Sequence, residues 1–339
     1  MTTTLSLIVC TYRRARPLER LLESLRQQSV RPTETLIIDG SDDDDTERVV
    51  KRFASRDELR GLRYFRAPPA ERGLTRQRNY GIARAHGEII AFLDDDIVAE
   101  PTYFERVLAS FAAHPEALGV GGYLINEVSW RRLEGSQRAG LAVFRWGEWQ
   151  RREPYRWRLR RLLGLGSPLP PGWIPASGHG RPVSFLPPDG RDYRVEFIMG
   201  GASAWRGSVF ESVRFSSYFA GYGLYEDLDF SIRVASRGPL YLCTAAHAHH
   251  FHAPESRPRA FAYGRMVVRN GWLVWRRRWP RPPWADRCRW WAITLLLALC
   301  RLGDAVRGPE PRAALVEAAG RGWGMLTVLW KRPQDPHVS

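Results

Sequence analysis

Residues Glu88–Val98 read E-I-I-A-F-L-D-D-D-I-V, and the rest of the chain is arranged around this stretch. The apolar run Ile89–Leu93 is short and partly β-branched, which predicts a buried strand. Asp94, Asp95 and Asp96 follow directly, and three adjacent carboxylates repel one another unless a cation compensates them. Mg²⁺ and Mn²⁺ prefer oxygen ligands and are often held by carboxylates together with a substrate phosphate. The stretch predicts a divalent-cation site; the simpler alternative is a solvated acidic turn.

Strand and helix patterns alternate along the first part of the chain. Strand-like apolar runs occur at 5–10, 35–38, 62–65, 89–93 and 118–125. Between them, apolar residues recur at the i, i+3, i+4 and i+7 spacing of an amphipathic helix. The alternation predicts an α/β fold with a parallel or mostly parallel sheet that helices cover on both faces.

Polar residues follow three of these strands. They are Thr11, Tyr12 and Arg13 after the first strand, Asp39 after the second, and Asp94, Asp95 and Asp96 after the fourth. In parallel sheets, ligands bind beyond the carboxyl ends of the strands. We therefore expect the three polar ends to converge on one crevice, which favours a ligand site over a solvated turn.

Two later segments lack this alternation. Residues 126–194 are rich in Arg, Trp, Gly and Pro, which predicts a basic amphipathic helix followed by a long irregular loop. Long loops in compact domains are usually functional lids or disordered. Residues 256–339 are helical in pattern and basic. We predict a catalytic domain at 1–255, with 126–194 as an acceptor-side insertion, and a C-terminal helical region at 256–339.

The positive charge of the chain is concentrated in the same parts. The net charge is +15, yet residues 131–161 carry ten Arg against three Glu, and residues 256–339 carry sixteen Lys and Arg against five acids. These two segments also hold eleven of the fourteen Trp. Arg and Trp together suit an anionic membrane surface, and nucleic-acid binding uses the same residue types. A coding preference for Arg on solvated faces is the third explanation.

The C-terminal region is predicted to lie on a membrane rather than to cross it. Its most apolar run, Trp290–Cys300, has eleven residues, and a spanning helix needs about twenty. The alternative is an arm that packs against the catalytic domain or against the partner in a homodimer. The N-terminus lacks a basic start, which predicts no signal peptide, and the four scattered cysteines predict reduced thiols in a cytoplasmic protein.

Several motifs, taken together and in order, resemble those of inverting family-2 glycosyltransferases of the bacterial cell-surface polysaccharide type. They are S-L-I-V-C-T-Y-R-R, L-I-I-D-G-S-D-D, R-N-Y-G-I-A-R-A-H-G-E-I-I-A-F-L-D-D-D, F-I-M-G-G-A-S-A-W-R and G-Y-G-L-Y-E-D-L-D-F-S-I-R-V-A-S-R-G. The resemblance covers about residues 4–255 and implies a GT-A fold, which is Rossmann-like. It implies transfer of a hexosyl or deoxyhexosyl sugar from a UDP-, dTDP- or GDP-linked donor, with Mg²⁺ or Mn²⁺ as cofactor.

The resemblance also implies roles for the donor side. Asp96 would bind the metal, and Asp94 would lie nearer the nucleoside, with Asp95 between them. A divalent cation can bridge the two phosphates and stabilise the leaving group as a Lewis acid. Thr11, Tyr12, Arg13, Asp39 and Arg78 match positions that contact the donor nucleotide, although Tyr12 could equally be a core residue and Arg78 could only pair with a nearby acid.

On the acceptor side, the resemblance places a catalytic base on Asp227, with Glu226 orienting the acceptor or Asp227. A carboxylate within hydrogen-bond reach can take the proton of an attacking hydroxyl, although acids are also common in a first helical turn for dipole reasons. Gly200 and Gly201 let a backbone approach a sugar closely, so we expect them to line the donor-sugar pocket. His249 is the best match for a histidine that reaches the metal or the diphosphate, with His250 and His247 behind it.

We therefore predict a glycosyltransferase that uses a lipid-linked or glycan acceptor in polysaccharide biosynthesis, peripheral on the inner face of the cell membrane. A nucleotidyltransferase is disfavoured because residues 11–17 contain no glycine for a phosphate-binding loop. The remaining alternative is an Arg- and Trp-rich protein that binds nucleic acid or a membrane surface without catalysis. In that case its basic residues should lie over the crevice of the sheet.

Overall fold

A computed structural model describes residues 3–55, 59, 61–133, 140, 142–252 and 258–335. The chain divides into two compact units. The sheet unit comprises Met1–Val128 and Leu186–Ser256, and the helical unit comprises Ser129–Phe185 and Arg257–Ser339. The predicted boundary between residues 255 and 256 falls outside the described residues. Most of the predicted insertion groups with the C-terminal helices, whereas the sequence placed it in the catalytic domain.

The strands and helices follow one another in the order that the first part of the sequence predicts. The strands are β1 Leu5–Thr11, β2 Glu34–Asp39, β3 Leu62–Arg66, β4 Ile89–Leu93, β5 Ile97–Ala99, β6 Gly119–Leu124, β7 Trp130–Arg132, β8 Val143–Trp146, β9 Trp149–Arg152, β10 Asp192–Val195, β11 Ala202–Arg206 and β12 Leu240–His250. The helices are α1 Ala15–Arg26, α2 Asp45–Ala54, α3 Leu74–Ile82, α4 Tyr103–Ala113, α5 Tyr155–Leu162, α6 Glu226–Ala235, α7 Ala260–Arg278, α8 Trp284–Arg307 and α9 Pro311–Trp330.

The sheet unit contains a mixed sheet in the order β3-β2-β1-β4-β11-β6-β12-β10, with β5 paired to β12. The strands β3, β2, β1 and β4 are parallel, and β11 runs antiparallel to β4 and β6. All five residues of β4 are buried, as expected for a strand that helices cover on both faces. The predicted mostly parallel α/β sheet is confirmed.

The register of the parallel strands aligns their polar ends. Thr11 pairs with Asp39, and Ile8 pairs with Phe92 two positions before the acids begin. The side chain of Gln77 on α3 fixes this edge, since its amide donates to the carbonyls of Thr11 at 3.0 Å and Ile38 at 2.8 Å. These bonds satisfy two buried backbone acceptors at the strand ends, which otherwise would be costly.

Strand β12 runs from Leu240 to His250, so His247, His249 and His250 lie within it. One sequence expectation differs from the structure. The predicted basic helix after residue 126 is preceded by a three-stranded antiparallel sheet in the order β7-β9-β8, and within the described part of 126–194 the α-helix is limited to Tyr155–Leu162. Trp146 pairs with Trp149 across a two-residue turn, where Gly147 adopts a φ of +56° that a non-glycine residue rarely takes.

The helical unit is built around α7, α8 and α9. The rings of Trp275 and Trp290 stack with centroids 4.9 Å apart. Helices α7 and α9 approach closely because glycines face each other's backbone: a Cβ on Gly264 would lie 2.1 Å from the carbonyl oxygen of Glu317. Within the described ranges, no helix combines the length and the apolar content that crossing a bilayer requires.

Candidate active site

The three acids after β4 point to different partners. Asp95 is buried and accepts hydrogen bonds from Thr11 Oγ1 at 2.7 Å and from Arg14 Nη1 at 2.7 Å. Asp96 is also buried and lies 3.3 Å from Arg14 and 3.2 Å from His250 Nε2. The side chain of Asp94 is 41% exposed. Of the three carboxylates, Asp94 is therefore the one that stays most open to a ligand.

Asp95 differs electrostatically from its neighbours. Burial raises its pKa to about 7, although the charge of Arg14 and the hydrogen bond from Thr11 lower it. Arg14 thus neutralises part of the negative charge of the three consecutive aspartates. Asp94 is therefore the most accessible of the three carboxylates to a cation.

Arg78 joins the two halves of the site. Its side chain is 2% exposed, and it donates to Glu226 Oε1 through Nη1 and to Asp94 Oδ1 through Nη2 at 3.3 Å. Its guanidinium also lies over the rings of Phe92 and Phe215, at 5.4 and 5.1 Å from their centroids. A buried cation fixed on two sides by aromatic rings and on two others by carboxylates holds those carboxylates in place.

Glu226 and Asp227 open helix α6. Tyr225, which precedes them, has a φ of +69°, and such strain in a non-glycine residue often accompanies functional sites. Burial raises the pKa of Glu226 to about 8, although Arg78 lowers it, and among the described residues its Oε2 has no hydrogen-bond partner. Burial likewise raises the pKa of Asp227, while the backbone N–H groups of Leu228 and Gly200 lower it.

Gly200 and Gly201 lie directly against these acids. A Cβ on Gly200 would come within 2.6 Å of Glu226 Oε1, and one on Gly201 within 2.2 Å of Asp94 Oδ2. The N–H of Gly200 donates to Asp227 Oδ2 at 3.3 Å, and that of Asp94 donates to the carbonyl of Gly201 at 3.0 Å. The structure thus brings Asp94, Arg78, Glu226, Asp227 and both glycines together.

The residues expected at the nucleoside end are arranged less uniformly. Asp39 is fully buried, with its carboxylate accepting from Ser41 and from Tyr64 Oη at 2.9 Å. Tyr12 is 42% exposed, and the guanidinium of Arg13 lies over its ring. Tyr12 and Arg13 are therefore accessible to a ligand, whereas the carboxylate of Asp39 already accepts hydrogen bonds from Ser41 and Tyr64.

His250, not His249, contacts the acid run. Successive side chains of a strand point to opposite faces, so His249 lies 3.1 Å from Glu100 instead of near Asp96. His250 Nε2 lies 3.2 Å from Asp96 Oδ1, and its Nδ1 lies 2.8 Å from Glu127 Oε1. The structure thus places His250, and not the predicted His249, beside Asp96.

Asp96 and His250 lie 3.2 Å apart and supply a carboxylate and an imidazole, donor types that fit a divalent cation. Among the described residues, the three side chains whose ligand atoms all lie within 4.8 Å of one another are those of Glu127, His250 and His252. The imidazole of His250 is held from its other nitrogen by Glu127, as the ring of a metal-bound histidine usually is.

Four residues of the site were missed or ranked too low by the sequence. Gln77 and Glu127 have no local signal, because their roles depend on partners distant in sequence. Arg14 is part of the T-Y-R-R motif and could have been identified from it. Identifying His250 requires knowing where β12 ends, which the sequence did not predict.

Residues 6–169 match the sequence model for the family described as Glycosyl transferase family 2. Residues 6–169 of the chain belong to this family. It is 28% identical over 131 residues to a glucosyl-dolichyl phosphate glucuronosyltransferase of Haloferax volcanii, covering 38% of the chain and 41% of that relative. It is 34% identical over 92 residues to the GalNAc(5)-diNAcBac-PP-undecaprenol beta-1,3-glucosyltransferase of Campylobacter jejuni, covering 27% of the chain and 29% of that relative. The chain thus spans less than half the length of these two relatives.

The likeness to solved structures shows that the chain has the GT-A fold. A mannosyltransferase of Pyrobaculum calidifontis, solved with GDP-Man and Mn²⁺, aligns with a TM-score of 0.51 at 15% identity over 98% of this chain and 89% of its own. The predicted fold and family are therefore confirmed. The family match ends before Glu226 and Asp227, so their assignment rests on the geometry.

Proposed function

We propose that the protein is an inverting glycosyltransferase that moves a sugar from a nucleotide-sugar donor to a hydroxyl group. One observation carries the proposal: the buried guanidinium of Arg78 pairs with both Asp94, at the end of β4, and Glu226, at the start of α6. Asp227 lies beside Glu226 in the same helical turn. A donor-side carboxylate and an acceptor-side carboxylate thus face one crevice, as a direct displacement requires.

Asp227 is the proposed general base. It is half-buried, and the backbone N–H groups of Gly200 and Leu228 fix its two oxygens. Its raised pKa makes it a stronger proton acceptor than an ordinary aspartate once it is ionised. A single base that assists one in-line attack inverts the anomeric configuration, since no covalent intermediate forms.

Glu226 has a supporting role in this proposal. Its Oε1 pairs with Arg78, while Oε2 is available within the described part of the chain to accept from an acceptor hydroxyl. Because burial raises its pKa to about 8, Glu226 can also be protonated near neutral pH and donate instead. Either way it orients the acceptor next to Asp227.

The donor side is proposed to bind the nucleotide diphosphate with Mg²⁺ or Mn²⁺. Asp94, Asp96 and His250 would hold the ion, which neutralises the charge that grows on the leaving diphosphate. Tyr12 and Arg13 are exposed at the end of β1 and would contact the nucleoside or its phosphates. The nucleotide is UDP, dTDP or GDP in this proposal, and the sugar is hexosyl or deoxyhexosyl.

The proposed acceptor is lipid-linked and belongs to the synthesis of a polysaccharide or a related glycan. Two relatives are named for acceptors on dolichyl phosphate and undecaprenol diphosphate. A lipid-linked acceptor would place the enzyme at the inner, cytoplasmic face of the membrane. The Arg- and Trp-rich segments of the helical unit are compatible with that location.

The test compares Asp227→Asn with Asp45→Asn, a matched control in the exposed first turn of α2. Candidate nucleotide sugars are supplied with Mn²⁺ and a lipid-linked acceptor extract, and nucleotide release is measured. We expect Asp227→Asn to lower kcat by roughly 10²- to 10⁴-fold, as the loss of a general base does, while Mn²⁺-dependent thermal stabilisation by the donor persists. Unchanged turnover in Asp227→Asn would remove Asp227 as the base. Absence of metal-dependent turnover with every donor would favour a non-catalytic binding protein.

A further inference from the structure

Helix α8 leaves an apolar stripe exposed along most of its length. The stripe follows a regular spacing of four and three residues, which keeps its members on one side of the helix. Its members are Cys288, Ala292, Leu295, Leu299, Leu302 and Val306, all of which are exposed. From first to last it extends about 27 Å at 1.5 Å per residue. Single exposed leucines are ordinary, but a continuous stripe of this length is not.

Helix α9 leaves a second stripe exposed. Its members recur every three or four residues and are Leu315, Ala319, Trp323, Leu326 and Trp330. The two helices pack against each other, and Arg301 of α8 pairs with Glu317 of α9 at 2.8 Å. Because α8 and α9 are joined by only a short turn, they run antiparallel, and their apolar stripes belong to one helical hairpin.

The opposite side of α8 is covered by protein. Trp290, Ile293 and Ala298 are buried, and Trp290 stacks on Trp275 of α7. A helix with one packed face and one apolar exposed face can lie on a lipid surface but cannot be surrounded by lipid. A bilayer would therefore contact α8 only through its exposed stripe.

One end of the hairpin is basic and aromatic. The antiparallel arrangement brings the start of α8 and the end of α9 to the same end. The exposed residues there are Arg281, Trp284, Trp330, Lys331 and Arg332. Trp284 is 77% exposed. Trp side chains favour the headgroup level of a bilayer, and Lys or Arg near an anionic bilayer contributes about 1 kcal/mol each.

We propose that the exposed apolar stripes of α8 and α9 dock on an anionic lipid bilayer. Charge complementarity decides between lipid and a second copy of the chain: residues 256–339 carry sixteen cationic side chains against five acids. A second copy would bring the same positive charge to the interface, whereas anionic headgroups neutralise it. The inference deepens the proposed function, because it assigns to particular residues the membrane partner that a lipid-linked acceptor would need.

Vesicle binding tests the apolar part of the proposal. The full chain is mixed with phosphatidylcholine vesicles that contain phosphatidylglycerol, and co-sedimentation is measured. We expect the triple variant Leu295→Ser, Leu299→Ser, Leu302→Ser to bind roughly 100- to 1,000-fold more weakly, since each leucine contributes about five- to tenfold. The matched variant with Met at the same three positions should bind like the wild type. Thermal unfolding verifies that each variant is folded.

A second experiment compares two double variants that each remove two positive charges. Its result is informative even if the serine variant unfolds. Removing two charges with Arg281→Gln and Lys331→Gln should weaken binding to the anionic vesicles roughly 30-fold. Arg48→Gln with Lys51→Gln removes two exposed charges from α2 and should change nothing. Wild-type binding to phosphatidylcholine alone should be weaker than to the anionic mixture.

Two outcomes would overturn the proposal. One is a folded serine variant that binds anionic vesicles as tightly as the wild type. The other is a wild-type dimer that the serine variant converts to a monomer without a change in vesicle binding, which would make the face a subunit interface. Neither measurement uses a donor or an acceptor, so a failure here is distinguishable from a failure of Asp227 as the catalytic base.

Discussion

Arg78 is the residue on which the two halves of the site depend. Sequence alone ranked it as one donor contact among several, because its position on α3 does not show that Glu226, 148 residues later, lies beside it. Removing one partner of a buried ion pair usually lowers the free energy of unfolding by about 3–5 kcal/mol, because the remaining charge is buried without compensation. The function of Arg78 and its contribution to stability are therefore coupled.

Above pH 8, where Glu226 is ionised, replacing Arg78 with Met should destabilise the protein by about 3 kcal/mol, because it leaves Glu226 buried without its cation. The double variant Arg78→Met, Glu226→Gln should recover part of that loss, since an amide carries no charge. Urea unfolding of both variants measures the difference. Equal stability of the single and the double variant would contradict the coupling.

His250 and His249 form a matched pair of neighbouring histidines on opposite faces of β12. We expect His250→Ala to weaken Mn²⁺ binding by at least tenfold, because His250 contacts Asp96 and is oriented by Glu127. His249→Ala should leave Mn²⁺ binding unchanged, because its side chain lies against Glu100. Titration followed by Mn²⁺ paramagnetic resonance measures both affinities, and the reverse order of effects would restore the assignment made from sequence.

Glu226 predicts how stability depends on pH. Its pKa is about 8 in the folded protein and 4.5 in an unfolded reference, so between these values the folded state holds a proton that the unfolded state has released. Stability contributed by this group is therefore complete below about pH 4.5 and declines as pH rises toward 8. Glu226→Gln should flatten the decline in the free energy of unfolding, whereas exposed Asp45→Asn should not.

At the scale of elements, the antiparallel strand β11 positions Gly200 and Gly201 next to Glu226 and Asp94. Its pairing of Ala202 with Leu93 places Gly201 against Asp94. The sequence predicted β1 to β4, α3 and α6 well, because their apolar periodicity and their polar ends agree. It did not predict β7 to β9, since Arg and Trp alternating along short strands resemble a basic amphipathic helix. The W-G-E-W turn at 146–149 was the available hairpin signal.

Gly201→Ala tests whether the close approach of Gly201 to Asp94 matters for donor binding. A Cβ there would lie 2.2 Å from Asp94 Oδ2, so the carboxylate must move away. We expect a rise of roughly tenfold or more in the donor KM, consistent with loss of a charge-assisted contact, and little change in the thermal midpoint. Gly322→Ala in α9 meets no atom within 4 Å and should be neutral or slightly stabilising. An unchanged donor KM in Gly201→Ala would show that Asp94 does not contact the donor.

At the scale of the whole molecule, the grouping of 129–185 with the C-terminal helices was not predictable from composition. Both segments are rich in Arg and Trp, but composition does not reveal partners. The structure gives them: the indole N–H of Trp275 donates to the carbonyl of Ala176, and that of Trp279 donates to the carbonyl of Ile174. Tyr155 also reaches Asp304 at 2.7 Å.

These contacts predict what happens when the C-terminal helices are removed. A chain that ends at residue 256 loses every one of these partners, so residues 129–185 should become accessible to trypsin at their many arginines. The sheet unit keeps its own core and should still be stabilised by a donor with Mn²⁺. A chain that ends at residue 335 retains all of the described contacts and serves as the control. If 129–185 resisted trypsin equally in both chains, the C-terminal helices would not be what holds that segment.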